Sequence, residues 1–324
     1  MNRLRAYREL EQISQEELGT IVGLSTQMVS AVEGGRRSFT GDLSVLGYAA
    51  NRLELPDMSE PLHRVRAATT MAAKKRAKEL LRLAGEVFRD LQAVTPNAPA
   101  VAVEKLPMPE SFDEIEDRAS DVRALLGQEE SGPIRNLTAV LERAGVCLVP
   151  IASLEGVDGL SAWVDGAPVI GVSPTVPGDR FRLTLAHELA HLLLHKRKTD
   201  TTESEANRFA GALLFPLAEF DAQMPTTPQL RDFVGLKSAW GVSVAALVYR
   251  AHELGYVDDR RYRAIQIQMS KWRKNEPAKF DPVPGQLMGR LVEVNGGATK
   301  VAKDLGVNES HLRQLCDWRR LRVA

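Results

Sequence analysis

The stretch Arg182-Leu-Thr-Leu-Ala-His-Glu-Leu-Ala-His-Leu-Leu-Leu-His195 (RLTLAHELAHLLLH) holds His187-Glu188-x-x-His191, the H-E-x-x-H pattern. Its residues are good helix formers without Gly or Pro, so one helix is expected from about Phe181 to Lys196. At helical spacing Thr184, His187, Glu188, His191 and His195 fall within an arc of about 100°, and nearly every other position is Leu or Ala. The pattern predicts a buried helix with one polar seam, and buried polar groups need partners. Two His at i and i+4 lie one above the other and can offer two nitrogens to one zinc ion. Glu188, beside His187 but turned away from the metal, can hold a water as general base. The alternative is a chance match on a core helix. His195 reads as a group behind the ligands or a satisfied core histidine.

A catalytic site of this kind needs a third protein ligand. The candidates lie in Thr202-Glu-Ser-Glu-Ala-Asn-Arg-Phe-Ala-Gly-Ala-Leu-Leu-Phe-Pro216, a helix expected from about Thr202 to just before Pro216. Glu205 sits at one edge of its apolar arc, where a cation would compensate a costly carboxylate. Glu205 is the preferred ligand and Glu203 the reserve. The competing reading of Glu205 is a capping box with Thr202.

The rest of the chain frames this helix. At 324 residues there is room for two or three domains. Lys+Arg and Asp+Glu are equal at 42 each, so any basic surface must be local. Cys147 and Cys316 form no CxxC and suggest a reducing cytosol; a cytoplasmic protein is expected. No apolar run approaches the length of a membrane span, so no membrane partner is expected.

Near the N-terminus, Ser14 and Glu17 form a capping box for a short helix from Gln15 to Val22. Gly23 stops it, Leu24 is an apolar turn residue, and Ser25 caps a second helix from Thr26 to Glu33. Two short helices with such a turn form a helix-turn-helix, whose second helix enters the DNA major groove. Gln15, Glu16, Leu18, Gly23, Leu24, Ser25, Val29, Ser30, Glu33, Gly34 and Arg36 resemble the phage-repressor, or XRE, type of domain. That resemblance implies a five-helix fold over residues 1–57 that binds double-stranded DNA. It places Ser25, Thr26, Gln27 and Ser30 near the bases, Gln15 in the same interface, and Arg36 and Arg37 on phosphate. The segment carries six Lys/Arg against seven Asp/Glu through Leu55, so the alternative is a helical domain for protein contacts.

Residues 58–110 read as a basic connector and a linker. A long helix is expected over His63–Leu91, either a connector that contributes to a possible homodimer or a coat on the neighbouring domain. Lys74, Lys75 and Arg76 are candidates for phosphate contact. Four prolines between Thr95 and Pro109 mark a linker or extended arm. Residues 111–257 open with helices at Phe112–Leu126 and Ile134–Ala144. A buried strand follows at Val146–Ile151, then a hairpin of Gly159–Val164 and Ala167–Val172 around Asp165-Gly166. Helices Leu236–Trp240 and Val242–Leu254 flank a Gly241-Val-Ser turn. Ala251-His-Glu-Leu254 repeats part of the metal motif, but Tyr256 stands where a second His is needed. Residues 258–324 start with a basic run, Arg260, Arg261, Arg263, Lys271, Arg273 and Lys274. They end in a second helix-turn-helix-like unit around Gly306-Val-Asn308, with Ser310, His311, Arg313 and Gln314 on or near its outer face; a protein-binding helical tail is the alternative. The expected fold is α+β and mostly helical.

His187-Glu188-x-x-His191-x-x-x-His195, then Glu205-Ala-Asn-Arg-Phe-Ala-Gly-Ala-Leu-Leu-Phe-Pro216, resemble the ImmA/IrrE family of metallopeptidases. Arg180-Phe-x-Leu-Thr-Leu-Ala before them and Gly241-Val-Ser-Val-Ala-Ala-Leu-Val-Tyr-Arg-Ala after them match as well. The resemblance implies a small-sheet, zincin-like domain with one zinc per chain, replaceable by Mn2+. It implies ligands at His187, His191 and Glu205 and a catalytic Glu188. It further implies an endopeptidase that cuts a helix-turn-helix repressor and so releases stress or mobile-element genes. Tyr249, Arg250 and His195 are candidates for stabilising the oxyanion.

Overall fold

The computed structural model describes residues 2–62, 70–151, 158–272, 276–277 and 280–319. The first helices are α1 Arg3–Glu11, α2 Gln15–Val22, α3 Thr26–Glu33 and α4 Met71–Val94. Helices α5 Phe112–Leu125 and α6 Leu137–Arg143 precede strands β1 Cys147–Pro150, β2 Gly159–Val164 and β3 Ala167–Val172. Then come α7 Gly178–Leu194, α8 Thr202–Leu214, α9 Leu217–Gln223 and α10 Leu230–Trp240. Helices α11 Val244–Glu253, α12 Asp259–Met269, α13 Leu287–Val294, α14 Ala298–Leu305 and α15 Glu309–Cys316 complete the order. The fold is α+β and mostly helical.

The chain forms two compact units. The first draws on Met1–Val101, Gly145–Pro174 and Gly285–Arg320; the second on Ala102–Ala144 and Thr175–Pro284. This division cuts across the segments suggested by the sequence, because strands and helices far apart in the chain share one core.

In the first unit the sheet order is β1-β3-β2, with β1 parallel and β2 antiparallel to β3. Asp165 (φ 48) and Gly166 (φ 82) make the tight turn that their sequence predicts, both in the left-handed region a primed hairpin turn requires. Backbone from Asp57 to Leu62 covers the outer edge of β2: Ser59 N–H donates to Trp163 O at 2.9 Å, and Asp165 N–H to Asp57 O at 2.9 Å. An edge closed in this way offers no template for stray pairing.

Helix α4 is a core element, nearer to the coat than to the connector of the two alternatives. Ala77, Leu80, Leu81, Leu83, Ala84, Val87, Phe88 and Leu91 are buried in one cluster with β1–β3. Gly85 permits the approach to β2, since a Cβ there would meet Val164 Cβ at 2.4 Å. The residues His63–Thr69, which the expected helix includes, lie outside the described residues; the helix begins after Thr70, whose side chain caps it. Helix α1 is tied to α4 by Arg3, 1% exposed, whose Nη2 lies 2.6 and 2.7 Å from the two oxygens of Glu86.

Helices α2 and α3 have the predicted boundaries, with the Ser14–Glu17 capping box formed, Gly23 left-handed and Ser25 capping α3. Two 3-10 turns, Leu43–Leu46 and Ala50–Arg52, follow in place of the fourth and fifth helices that the repressor resemblance implies.

The C-terminal helices join this same core. The α14–α15 turn repeats the α2–α3 turn: Gly306 is left-handed (φ 63), Val307 is buried, and Asn308 caps α15. Asn308 Nδ2 donates to Leu46 O at 2.9 Å, and Ala49 N–H donates to Gly306 O at 2.9 Å. His311, expected on or near the outer face, is buried instead. Its Nδ1 accepts from Tyr48 Oη at 2.9 Å and its Nε2 donates to Glu11 at 2.8 Å. Helical periodicity could not show this, because Tyr48 and Glu11 come from far away in the chain. Ser310 and Arg313 are exposed and Gln314 half-buried.

Burial holds the His311 pKa below the ordinary histidine value; Glu11 opposes this, while Arg76 and Arg3 add to it. The unfolded chain therefore takes a proton that folded His311 resists. This contribution to stability is present above about pH 6.5 and lost as pH falls through the depressed folded value. Unfolding midpoints measured from about pH 7 down to about pH 5 should fall less steeply for His311→Gln than for the parent chain. Equal slopes would remove His311 as the source.

The second unit is helical. Helix α7 is buried over most of its length and packs on α8, which also packs on α5. Its start is pinned by buried Lys237, whose Nζ lies 2.5 Å from Asp179 and 3.0 Å from Glu276. Arg182 donates to the carbonyls of Ile134 and Arg135, at 2.7 and 3.0 Å. The Pro-rich stretch serves as an extended arm: Leu106 N–H donates to Leu193 O at 2.8 Å, satisfying a carbonyl near the end of α7. Within the basic run, Arg260, Arg261 and Arg263 lie exposed on α12, while Arg273 and Lys274 lie outside the described residues.

Candidate metal centre

Helix α7 carries the polar seam as its spacing predicts. Thr184, His187, Glu188, His191 and His195 are all buried, Glu188 to 1% exposure. Apolar positions flank the seam on α7. The Nε2 atoms of His187 and His191 converge to 3.0 Å. One carboxylate oxygen of Glu188 and one nitrogen of each His lie within 4.8 Å of one another.

The α8 carboxylate that approaches the two histidines is Glu203. Its Oε2 lies 3.5 Å from His187 Nε2 and its Oε1 lies 4.0 Å from His191 Nε2. Glu205, the preferred ligand from the sequence, is instead 3.0 Å from His195 Nε2. The reason is helical geometry: residues two apart point to nearly opposite sides, so Glu203 and Glu205 cannot face the same atoms. The capping box proposed for Glu205 is not formed either. The α8 N-cap is Thr201 without a side-chain cap bond, and the Thr202 hydroxyl accepts from Thr199 N–H at 2.8 Å. Asn207, four residues after Glu203 and on the same face, accepts from His187 Nδ1 at 3.0 Å. Sequence reasoning missed Asn207; the signal was its i+4 spacing from Glu203.

These atoms fit a metal ion. For bonds of about 2.0–2.1 Å, two ligand atoms on a tetrahedral ion stand about 3.3 Å apart. The 3.0 Å between the two Nε2 atoms lies close to that value, and Glu203 reaches His187 with Oε2 at 3.5 Å and His191 with Oε1 at 4.0 Å. Asn207 Oδ1 accepts from His187 Nδ1–H, which leaves the His187 Nε2 lone pair facing His191 Nε2, and His191 Nδ1 stands 3.0 Å from His195 Nδ1. Two lone pairs at 3.0 Å repel unless a cation or a proton lies between them. Glu203 is half-buried with both carboxylate oxygens shielded from solvent, and Lys198 Nζ stands 3.7 Å from its Oε1. On the inner side, burial lowers the His195 pKa, with Glu205 opposing that shift.

The other suggested residues are placed elsewhere. Arg250 is engaged with Glu116 through two bonds of 3.0 and 2.8 Å and is 3% exposed, which removes it from the oxyanion candidates. Tyr249 is 38% exposed on α11. His252 of the partial repeat bonds to Asp259 at 2.8 Å.

On the first unit, Ser25, Thr26 and Gln27 are exposed at the start of α3, with Arg36 and Arg37 exposed beyond its end. Ser30 is half-buried and accepts from Arg36 Nη2 at 3.4 Å. Gln15 turns inward, its amide donating to Glu33 at 2.9 Å beside the paired Arg8.

Residues 142–252 match the Peptidase_M78 family model, described as the IrrE N-terminal-like domain. The match takes in β1–β3, α7, α8 and the helices that follow as far as the end of α11, and it supports the ImmA/IrrE resemblance over those residues. No curated protein matches the chain. Among the described residues no helix is long and apolar enough to cross a membrane.

Proposed function

We propose that the chain is a zinc-dependent endopeptidase joined to a helix-turn-helix DNA-binding region and acting in transcriptional regulation. The observation that carries this reading is the convergence of His187 Nε2, His191 Nε2 and the Glu203 carboxylate, with the Glu188 carboxylate beside them. His187, His191 and Glu203 would hold the metal, and zinc suits two imidazoles and a carboxylate. When bound, zinc supplies Lewis acidity, which polarises a peptide carbonyl and makes water more acidic. Glu188 takes the proton of the attacking water on its carboxylate and delivers it to the leaving amine nitrogen. The expected substrate is a helix-turn-helix repressor whose cleavage releases stress or mobile-element genes. Mn2+ can stand in for zinc in such a site. Double-stranded DNA is the second partner, met by Ser25, Thr26, Gln27 and Ser30, with Arg36 and Arg37 on phosphate.

The test is metal analysis joined to a cleavage assay. Protein purified without chelator should hold one zinc per chain and produce metal-dependent fragments from repressors encoded beside its gene. Protein that holds no metal and takes up none defeats the reading.

A second reading treats the chain as a repressor or antitoxin-like regulator whose zinc domain senses a partner. It draws on the exposed start of α3 within a core shared by α4, the sheet and α13–α15. Retarded DNA without any cleavage would favour it.

A further inference from the structure

We propose that Glu205 and His195 form a positioning chain that fixes the proton of His191 and thereby turns its Nε2 lone pair toward the metal. This rests on the metal reading above and goes beyond it, because neither residue is a ligand. Helix α7 ends at Leu194, and His195 takes an extended backbone (φ −110, ψ 124) with its N–H on His191 O. That bend folds the His195 ring back beside His191, where its side chain is fully buried. Its Nδ1 stands 3.0 Å from His191 Nδ1 and its Nε2 stands 3.0 Å from Glu205 Oε2.

Two neutral imidazoles in contact through their Nδ1 atoms can share one proton in either sense. In one sense His191 Nδ1 donates, and the His191 Nε2 lone pair faces the metal position. In the other sense His195 Nδ1 donates, the His191 proton moves to Nε2, and the ligand is blocked. A carboxylate only accepts. Glu205 therefore requires a proton on His195 Nε2, which makes His195 Nδ1 an acceptor and His191 Nδ1 the donor. One negative group sets the direction of the whole chain. Asn207 serves His187 by a separate bond, so the two ligands are oriented independently.

Groups that orient metal-bound histidines are worth about 10–100-fold in metal affinity. Glu205→Gln tests the point without opening a cavity, because an amide can donate as well as accept and no longer dictates the direction. Zinc affinity of the full chain is read by competition with a chromophoric chelator. Cobalt absorption reports the ligand set, and the unfolding midpoint of metal-free protein reports the fold. Glu205→Gln should lose about 10–100-fold in zinc affinity, with the cobalt bands and the midpoint kept. His195→Gln should lose a similar factor, and the double variant should bind no more weakly than the weaker single variant, since both act through His191. Adding Asn207→Ala to Glu205→Gln should multiply the losses, since the two act through different ligands.

The inference is overturned by an unchanged affinity in Glu205→Gln, or by losses that multiply between Glu205→Gln and His195→Gln. It is also overturned if Glu205→Gln removes the cobalt bands and Glu203→Gln keeps them, which would make Glu205 the ligand. Parent protein that takes up no zinc or cobalt defeats the metal reading itself, a failure visible before any variant is made.

Discussion

Replacing Glu188 by Gln leaves the metal content of the protein unchanged and slows peptide cleavage by about 10²–10⁴-fold, the usual contribution of a general base. The two halves of the result come from different atoms. His187, His191 and Glu203, the proposed donor set, are untouched, so zinc per chain should equal that of the parent. Gln keeps the volume of Glu188 in a place only 1% exposed, so packing survives, but an amide cannot take a proton from water. The loss corresponds to about 3–5 kcal/mol in the barrier. It is measured as fragment formation over time with enzyme in excess of a repressor substrate, beside metal analysis of the same preparation. Full cleavage by the variant excludes Glu188 as the base. Loss of the metal instead would make Glu188 part of the donor set.

Glu86→Ala is expected to destabilise the first unit by about 3–5 kcal/mol, the cost of breaking a buried ion pair from one side. Glu86 is 3% exposed and holds two cations, Arg3 through both oxygens and Arg52 Nη1 at 2.9 Å. Arg52 keeps Asp90 at 2.6 Å and the carbonyl of Leu305 at 2.8 Å. Arg3 keeps one bond, from Nε to Arg52 O at 2.9 Å, and its charge is left in the core. Because Arg3 is in α1 and Glu86 in α4, the damage should fall on the seating of the α1–α3 segment. Hydrogen exchange in α1 and α2 together with chemical denaturation would read it. A loss under about 1 kcal/mol would mean that Arg3 finds another partner. Glu86→Gln should lie between parent and Ala, since it keeps the hydrogen-bond acceptor and removes the charge.

The two predictions concern features of unequal visibility in the sequence. Glu188 was legible because a helix fixes its relation to His187 and His191 within four residues. The same local rule made the Asp165-Gly166 hairpin, the α2–α3 turn and the caps at Ser14 and Ser25 readable, and all of them are formed as expected. Glu86 carried no such signal. It reads as one more charge on a basic helix, and only the approach of α1 makes it the buried partner of two arginines. The choice between Glu203 and Glu205 lay beyond the sequence for a related reason. Both sit at the edges of an apolar arc, and nothing local says on which edge α7 lies.

The sequence by itself determined which helix carries the polar seam, which of its residues share a face, and where the turns and caps fall. These depend on backbone geometry over a few residues, where the spacing of side chains is fixed. Tertiary structure alone decided that Glu203 joins the two histidines while Glu205 turns to His195. It also decided that α4 is core, and that α15 buries His311 against Tyr48 and Glu11. Those outcomes depend on which surfaces meet across long loops. A carboxylate or an imidazole is satisfied by whatever the meeting brings to it, and no local pattern records that partner.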